Sequence, residues 1–179
     1  GSMNVRGLSY LKLVAIMEQD EFDVLCLQET WMAEPAEPPV VQGKAYGVKA
    51  IKGNKGGLAT YVRNSLHVEN SMGNEYCHTI KLKLPNSQRV NIANVYLPPT
   101  SSLAKRGITE AHATAQLELA LEDIQPQLLT LLCGDLNARI GTQLPLLTLY
   151  ILHAPPVTTT YVPERNGSCI YVTYTNYLS

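Results

Sequence analysis

At 179 residues, 45% hydrophobic and 16% charged, the chain is long enough for one domain with a substantial core and too short for two ordinary ones. That composition excludes disorder, and no apolar run reaches membrane-spanning length. The formal net charge of −1 conceals an uneven distribution, because Pro38 to Val68 contains no acidic residue but holds Lys44, Lys49, Lys52, Lys55 and Arg63. Such a stretch suits a phosphate backbone, with Lys49, Lys52 and Lys55 as candidate nucleic-acid contacts, and equally suits a solvated lysine loop.

In chain order, Gly1-Ser2 before Met3 reads as a cloning scar, which leaves residues 3–179 as a single domain with no basic-then-apolar leader. Leu8 to Glu18 has the spacing of a helix buried on Leu8, Leu11, Val14 and Ala15. Asp23 to Leu27 runs apolar into Gln28-Glu29, a strand ending in a carboxylate. The prolines between Glu34 and Pro39 make a loop, since they suit neither helix nor ladder. Gly56 to Arg63, Thr79 to Leu84 and Arg89 to Leu97 read as strands, the last stopped by Pro98-Pro99. Thr109 to Asp123 reads as a helix capped by Thr109 and buried on Ala113, Leu117, Ala120 and Leu121. Gln127 to Cys133 is an apolar, central strand. Strands and helices interleave, but with several direct strand-to-strand links, which favours an α/β sandwich of mixed sheets. Cys26, Cys77, Cys133 and Cys169 lack metal or redox spacing and read as reduced core thiols of an intracellular protein, nuclear or cytoplasmic.

Directly after that central strand stand Gly134, Asp135 and Asn137. Gly134 breaks the run. Should strand geometry persist, Asp135 and Asn137 point to the same side. A carboxylate and a carboxamide at the mouth of a buried strand suit a phosphate, a metal ion or a metal-bound water. They equally suit a capping turn in which the side chains bond their own backbone.

Gly134-Asp135-Leu136-Asn137-Ala138, Asp23 to Thr30, Lys55 to Val62 and Asn94 to Pro99 stand in the order of motifs found in the endonuclease/exonuclease/phosphatase superfamily, which the chain resembles. With Arg139 and Asn166 to Ile170, the resemblance extends to the endonuclease domains of non-LTR retrotransposons. It implies a four-layered α/β sandwich of two mixed sheets flanked by helices. It implies Mg²⁺ (or Mn²⁺) held by Glu29 with help from Asn4, catalysis by Asp135, Asn137 and Tyr96, and DNA contacts that include Arg139. DNA binding is expected to be weak and largely non-specific, with no membrane partner.

Four departures are set against that resemblance. Only Gly1-Ser2-Met3 precede Asn4, where the family has a strand; Tyr171 stands where the family has an Asp; the closing Ser-Asp-His-type motif does not occur; and residues 137–166 are compressed. His67, His78, His112 and His153 match nothing in the family pattern and are expected on the surface or in loops. The expected protein is therefore a shortened, degenerate nicking endonuclease of weak or lost activity. The rival is an inactive nucleic-acid-binding or protein-interaction module. A natural chain running on into a reverse transcriptase is compatible with either. Gly141 to Ser179 carries only Glu164 and Arg165 as charges and five of the ten tyrosines, among them Tyr171, Tyr174 and Tyr177. With both terminal strands reduced, the fold is expected to be incomplete at both ends, and unpaired edges are expected to drive homo-oligomerisation.

Overall fold

The computed structural model describes residues 1–19, 22–34, 36–53, 56–122, 124 and 128–137, together with the backbone of 160–163 and 169–175. In chain order the elements are β1 (Ser2–Asn4), α1 (Tyr10–Gln19), β2 (Val24–Gln28), β3 (Tyr46–Ile51), β4 (Leu58–Arg63), β5 (His67–Asn74), β6 (Cys77–Lys83) and β7 (Arg89–Tyr96). They continue with α2 (Thr100–Lys105), α3 (Glu110–Glu122), β8 (Leu129–Asp135), β9 (Thr160–Pro163) and β10 (Cys169–Thr175). One sheet has the order β1-β2-β4-β3 and the other β5-β6-β7-β8-β10-β9. Both are mixed: β1 is parallel to β2 and β7 to β8, and every other pairing is antiparallel.

Three buried clusters define four layers. Leu13 and Met17 of α1 pack on Leu25, Leu27, Ala59 and Tyr61. Leu103 of α2 and Ala113, Leu117 and Leu121 of α3 pack on Cys77, Ala93 and Val95. Between the sheets lie Cys26, Val62, Ile80, Leu82, Val90 and Ile92. The strands achieve this by period-2 alternation: in β2, Leu25 and Leu27 face the helix while Val24 and Cys26 face the opposite sheet. This is the mixed, helix-flanked sandwich expected from the interleaving of strands and helices.

Several expectations need correction. Helix α1 buries Leu13 and Met17, and of the expected face Leu8 and Val14 pack against that core while Leu11, 78% exposed, and Ala15 face outward. Helix α3 buries the stripe expected of it, and Thr109 caps it by accepting the His112 N–H at 3.2 Å. Strands β3 and β5 escaped notice because they lie at sheet edges with half-exposed, polar patterns rather than apolar runs. The opening strand is present as three residues paired with β2. Strand β8 does not stop at Cys133 but continues through Gly134 to Asp135. Nor is β8 left with an open edge, because β10 pairs along it and β9 pairs with β10. The thiols of Cys26, Cys77 and Cys133 are free. Cys26 is held above its ordinary range by the Cys133 thiol beside it and by burial; the side chain of Cys169 lies outside the described residues. Among the described residues no helix is long and apolar enough to cross a membrane.

Candidate active site

The parallel pairs β1/β2 and β7/β8 deliver their carboxy-terminal ends to one edge of the layer between the sheets. Asn4 closes β1, Tyr96 closes β7, Asp135 closes β8, and Glu29 follows β2. The Asn4 carboxamide Nδ2 donates to Glu29 Oε1 at 2.7 Å and to Asp135 Oδ2 at 2.8 Å. The Tyr96 hydroxyl donates to the same Glu29 oxygen at 3.0 Å. Asn137 stands beside them, its backbone N–H on Asp135 Oδ1 at 2.9 Å and its side-chain Nδ2 on the Leu97 carbonyl at 2.9 Å. The strand ends at Asp135, and the capping-turn reading of Asp135-x-Asn137 holds. The pair forms a side-chain-to-backbone turn, and that turn fixes the carboxylate that meets Asn4.

The backbone reaches this arrangement through costly conformations. Glu29 (φ 52°), Trp31 (φ 54°), Arg6 (φ 45°) and Asn137 (φ 48°) are all left-handed, at about 1–2 kcal/mol each for a non-glycine residue. Hydrogen bonds hold the turns: Gly7 N–H to Glu29 O at 2.7 Å, Leu8 N–H to Thr30 O at 2.9 Å, and Trp31 N–H to Gly56 O at 2.8 Å. Lys12, on α1, spends its ammonium on the Val5, Arg6 and Gly7 carbonyls at 2.8, 3.3 and 2.8 Å. Gly134, at φ 149°, is required by close approach, since a Cβ there would lie 1.9 Å from the Val95 carbonyl oxygen.

Under the site the layer between the sheets is polar. Asn94 accepts from Gln28 Nε2 at 2.7 Å and donates to the Leu27 and Ala59 carbonyls and the Thr60 hydroxyl. Thr60 Oγ1 in turn meets His78 Nδ1 at 3.0 Å, and Ser71 Oγ meets His78 Nε2 at 2.9 Å. His78 is thus no surface residue: it is 1% exposed, and burial, helped by Lys49, lowers its pKa to about 4. Alternation explains the error, since in β6 His78 shares a face with Ile80 and Leu82. Tyr96 is pushed well above the ordinary tyrosine range by burial and then by the negative charge of Glu29. It stays protonated and able to donate.

Glu29 and Asp135 bring two carboxylate oxygens within 2.8 Å of one nitrogen, and the partners named for them are neutral donors. That donor set fits Mg²⁺ or Mn²⁺, which take one or two carboxylates and fill the remaining positions with water. As placed, Asn4 turns its nitrogen to the carboxylates and its Oδ1 to the Arg6 N–H at 3.2 Å, so it bridges the two acids.

Folding draws acids onto part of the basic stretch. Lys52 pairs with Glu34 and Glu37 at 2.9 and 3.2 Å, and Arg63 with Asp23 at 3.2 Å, all three acids coming from outside the stretch. Lys49 stays exposed on β3. Lys55 and Arg139 lie outside the described residues. The sequence reading also passed over Lys12, whose helical position carries no motif, and Arg106, which bonds Glu75 at 2.5 Å and whose charge reaches Tyr96.

The model of the Endonuclease/Exonuclease/phosphatase family matches residues 1–173. Among solved structures, a 3′ phosphatase from Neisseria bound to a product DNA hairpin aligns at 15% identity and a TM-score of 0.64, over 96% of this chain and 84% of that one. An AP endonuclease from Archaeoglobus fulgidus aligns at 14% identity and 0.61, over 96% and 85%. The human Nocturnin catalytic domain with bound sulfate aligns at 13% and 0.58, over 92% and 73%. No curated protein matches.

Proposed function

The chain belongs to the endonuclease/exonuclease/phosphatase family, and from that premise we propose that it is a Mg²⁺- or Mn²⁺-dependent phosphodiesterase of the DNA-nicking type from a non-LTR retroelement, with slow turnover. The observation that carries this reading is the cluster of Asn4, Glu29, Tyr96 and Asp135, gathered from four strand ends. Glu29 and Asp135 are the residues that would hold a divalent ion, and its charge would offset the negative charge of the phosphate. Asp135 accepts the proton of the attacking water, and its carboxylate is set for this by the Asn137 N–H. Asn137, fixed by the Leu97 carbonyl, flanks the phosphate. Protonated Tyr96 keeps Glu29 aimed into the cluster.

Slow turnover is part of the proposal. Tyr171 stands where the family resemblance leads one to expect an Asp. Among the described histidines, His78 is tied between the sheets and His67 and His112 lie on exposed faces. A positioned general acid/base contributes about 10²–10⁴-fold in rate, and one left unoriented contributes less. The same departure favours a second reading, a module that binds nucleic acid without cleaving it. Either protein works inside the cell, in nucleus or cytoplasm, and the edge strands β3 and β5 offer surfaces for self-association.

Plasmid nicking in Mg²⁺, run beside Glu29→Ala and Asp135→Ala, tests the proposal. Slow nicking that both substitutions abolish supports it. Salt-sensitive DNA binding without nicking selects the second reading, and nicking indifferent to both substitutions sinks the site.

A further inference from the structure

The turn that carries Glu29 also does something the hydrolytic site does not need. Two residues on, it projects Trp31, the only tryptophan of the chain, into solvent, with 48% of its surface exposed. Tryptophan is normally among the more buried side chains, because its large apolar area stabilises a core. Here Trp31 is held out by a backbone that leaves it no choice. Its φ of 54° is left-handed, its N–H is tied to Gly56 O at 2.8 Å, and the following Met32 is buried with its carbonyl accepting Gly53 N–H at 2.9 Å. The indole rests against Gly7 of the neighbouring turn, where a Cβ would come within 2.9 Å of Cε3. Gly7 itself donates to the Glu29 carbonyl at 2.7 Å. The ring is therefore backed by the same two turns that place Asn4 and Glu29. Strain and an exposed aromatic meet on the turn that carries Glu29. Local strain kept against its cost is a mark of function.

We propose that Trp31 is a base-stacking residue: it takes the face of an unpaired base of the nucleic-acid substrate next to the phosphate held at the Glu29–Asp135 cluster. The inference rests on the phosphodiesterase reading above. An aromatic face backed by a rigid turn accepts any base, since every base offers a π-face. The same stack adds affinity for single-stranded or distorted DNA over intact duplex, whose bases are already stacked on each other. Trp31 is thus a specificity residue and takes no part in proton transfer.

Because Trp31 is the sole indole, its fluorescence reports on this one position. The whole protein is titrated with a short fluorescein-labelled oligodeoxythymidine in Ca²⁺, followed by fluorescein anisotropy; an unlabelled copy is followed by indole emission. Inorganic polyphosphate serves as the polyanion without bases. The expected result is strong indole quenching by the oligonucleotide and none by polyphosphate. Trp31→Ala should weaken oligonucleotide binding about 5–150-fold, the loss of one base–aromatic stack, while polyphosphate binding stays the same and Trp31→Phe restores most of the affinity. Oligonucleotide binding by anisotropy with no change in indole emission would overturn the inference and leave the phosphodiesterase reading standing. Absence of any oligonucleotide binding would overturn both.

Discussion

The layer between the two sheets has two halves, built on the same strands from opposite chemistry. Toward the start of β7 it is filled by Cys26, Val62, Ile80, Leu82, Val90 and Ile92. Toward the end of β7 it is filled by Gln28, Thr60, His78 and Asn94, with Glu29, Tyr96 and Asp135 above them. Carbon contacts are non-directional, so the first half needs only volume and stabilises in proportion to the area it removes from water. The second half needs a named partner for each polar atom, and its net gain per hydrogen bond is small. Even so, Gln28 Oε1 is left without one. What the polar half provides is position, because Asn94 alone reaches from its own strand to the Leu27 and Ala59 carbonyls of the facing sheet. Stability and function are thus separated along the length of the same strands.

Breaking the functional end should give the largest effect. Asp135→Ala should reduce Mg²⁺-dependent nicking about 10²–10⁴-fold, or about 3–5 kcal/mol of barrier, in single-turnover assays. An Asp135→Ala protein that nicked normally would remove that residue from the chemistry. In the apolar half, Ile92→Ala should cost about 2–5 kcal/mol of stability in urea denaturation and leave the rate of the folded fraction alone; Ile92 is 4% exposed.

The third test uses pH. The folded-state pKa of His78, about 4, lies below its ordinary 6.5, with burial the first cause and Lys49 the second. Between those values the unfolded chain binds a proton that the folded chain refuses. Stability is therefore intact above pH 6.5 and falls as pH drops toward 4, by up to about 3 kcal/mol. Urea midpoints for wild type and His78→Gln should diverge across that window, and parallel curves would show that His78 charges freely in the fold. Asn94→Ala should show the smallest change, about 1–3 kcal/mol. Its informative readout is the comparison with Ile92→Ala, because losing the Asn94 bridge should also slow nicking.

The strands β2, β4, β6 and β7 and the stripe of α3 were legible in the chain itself. So was the placing of Glu29, Tyr96 and Asp135 at strand ends, because residues two or four apart fix which face a side chain occupies. The order of the motifs announced the family for the same reason, being carried by short local stretches. Convergence was another matter. Asn4 meets Asp135 across 131 residues of sequence, and only the stacking of one sheet on the other brings them together. The same long-range packing drew Glu34, Glu37 and Asp23 onto the basic stretch and took His78 into the interior. It also laid β10 along β8. Local periodicity sets which way a side chain faces; what it then meets is decided by parts of the chain too distant for any spacing rule to reach.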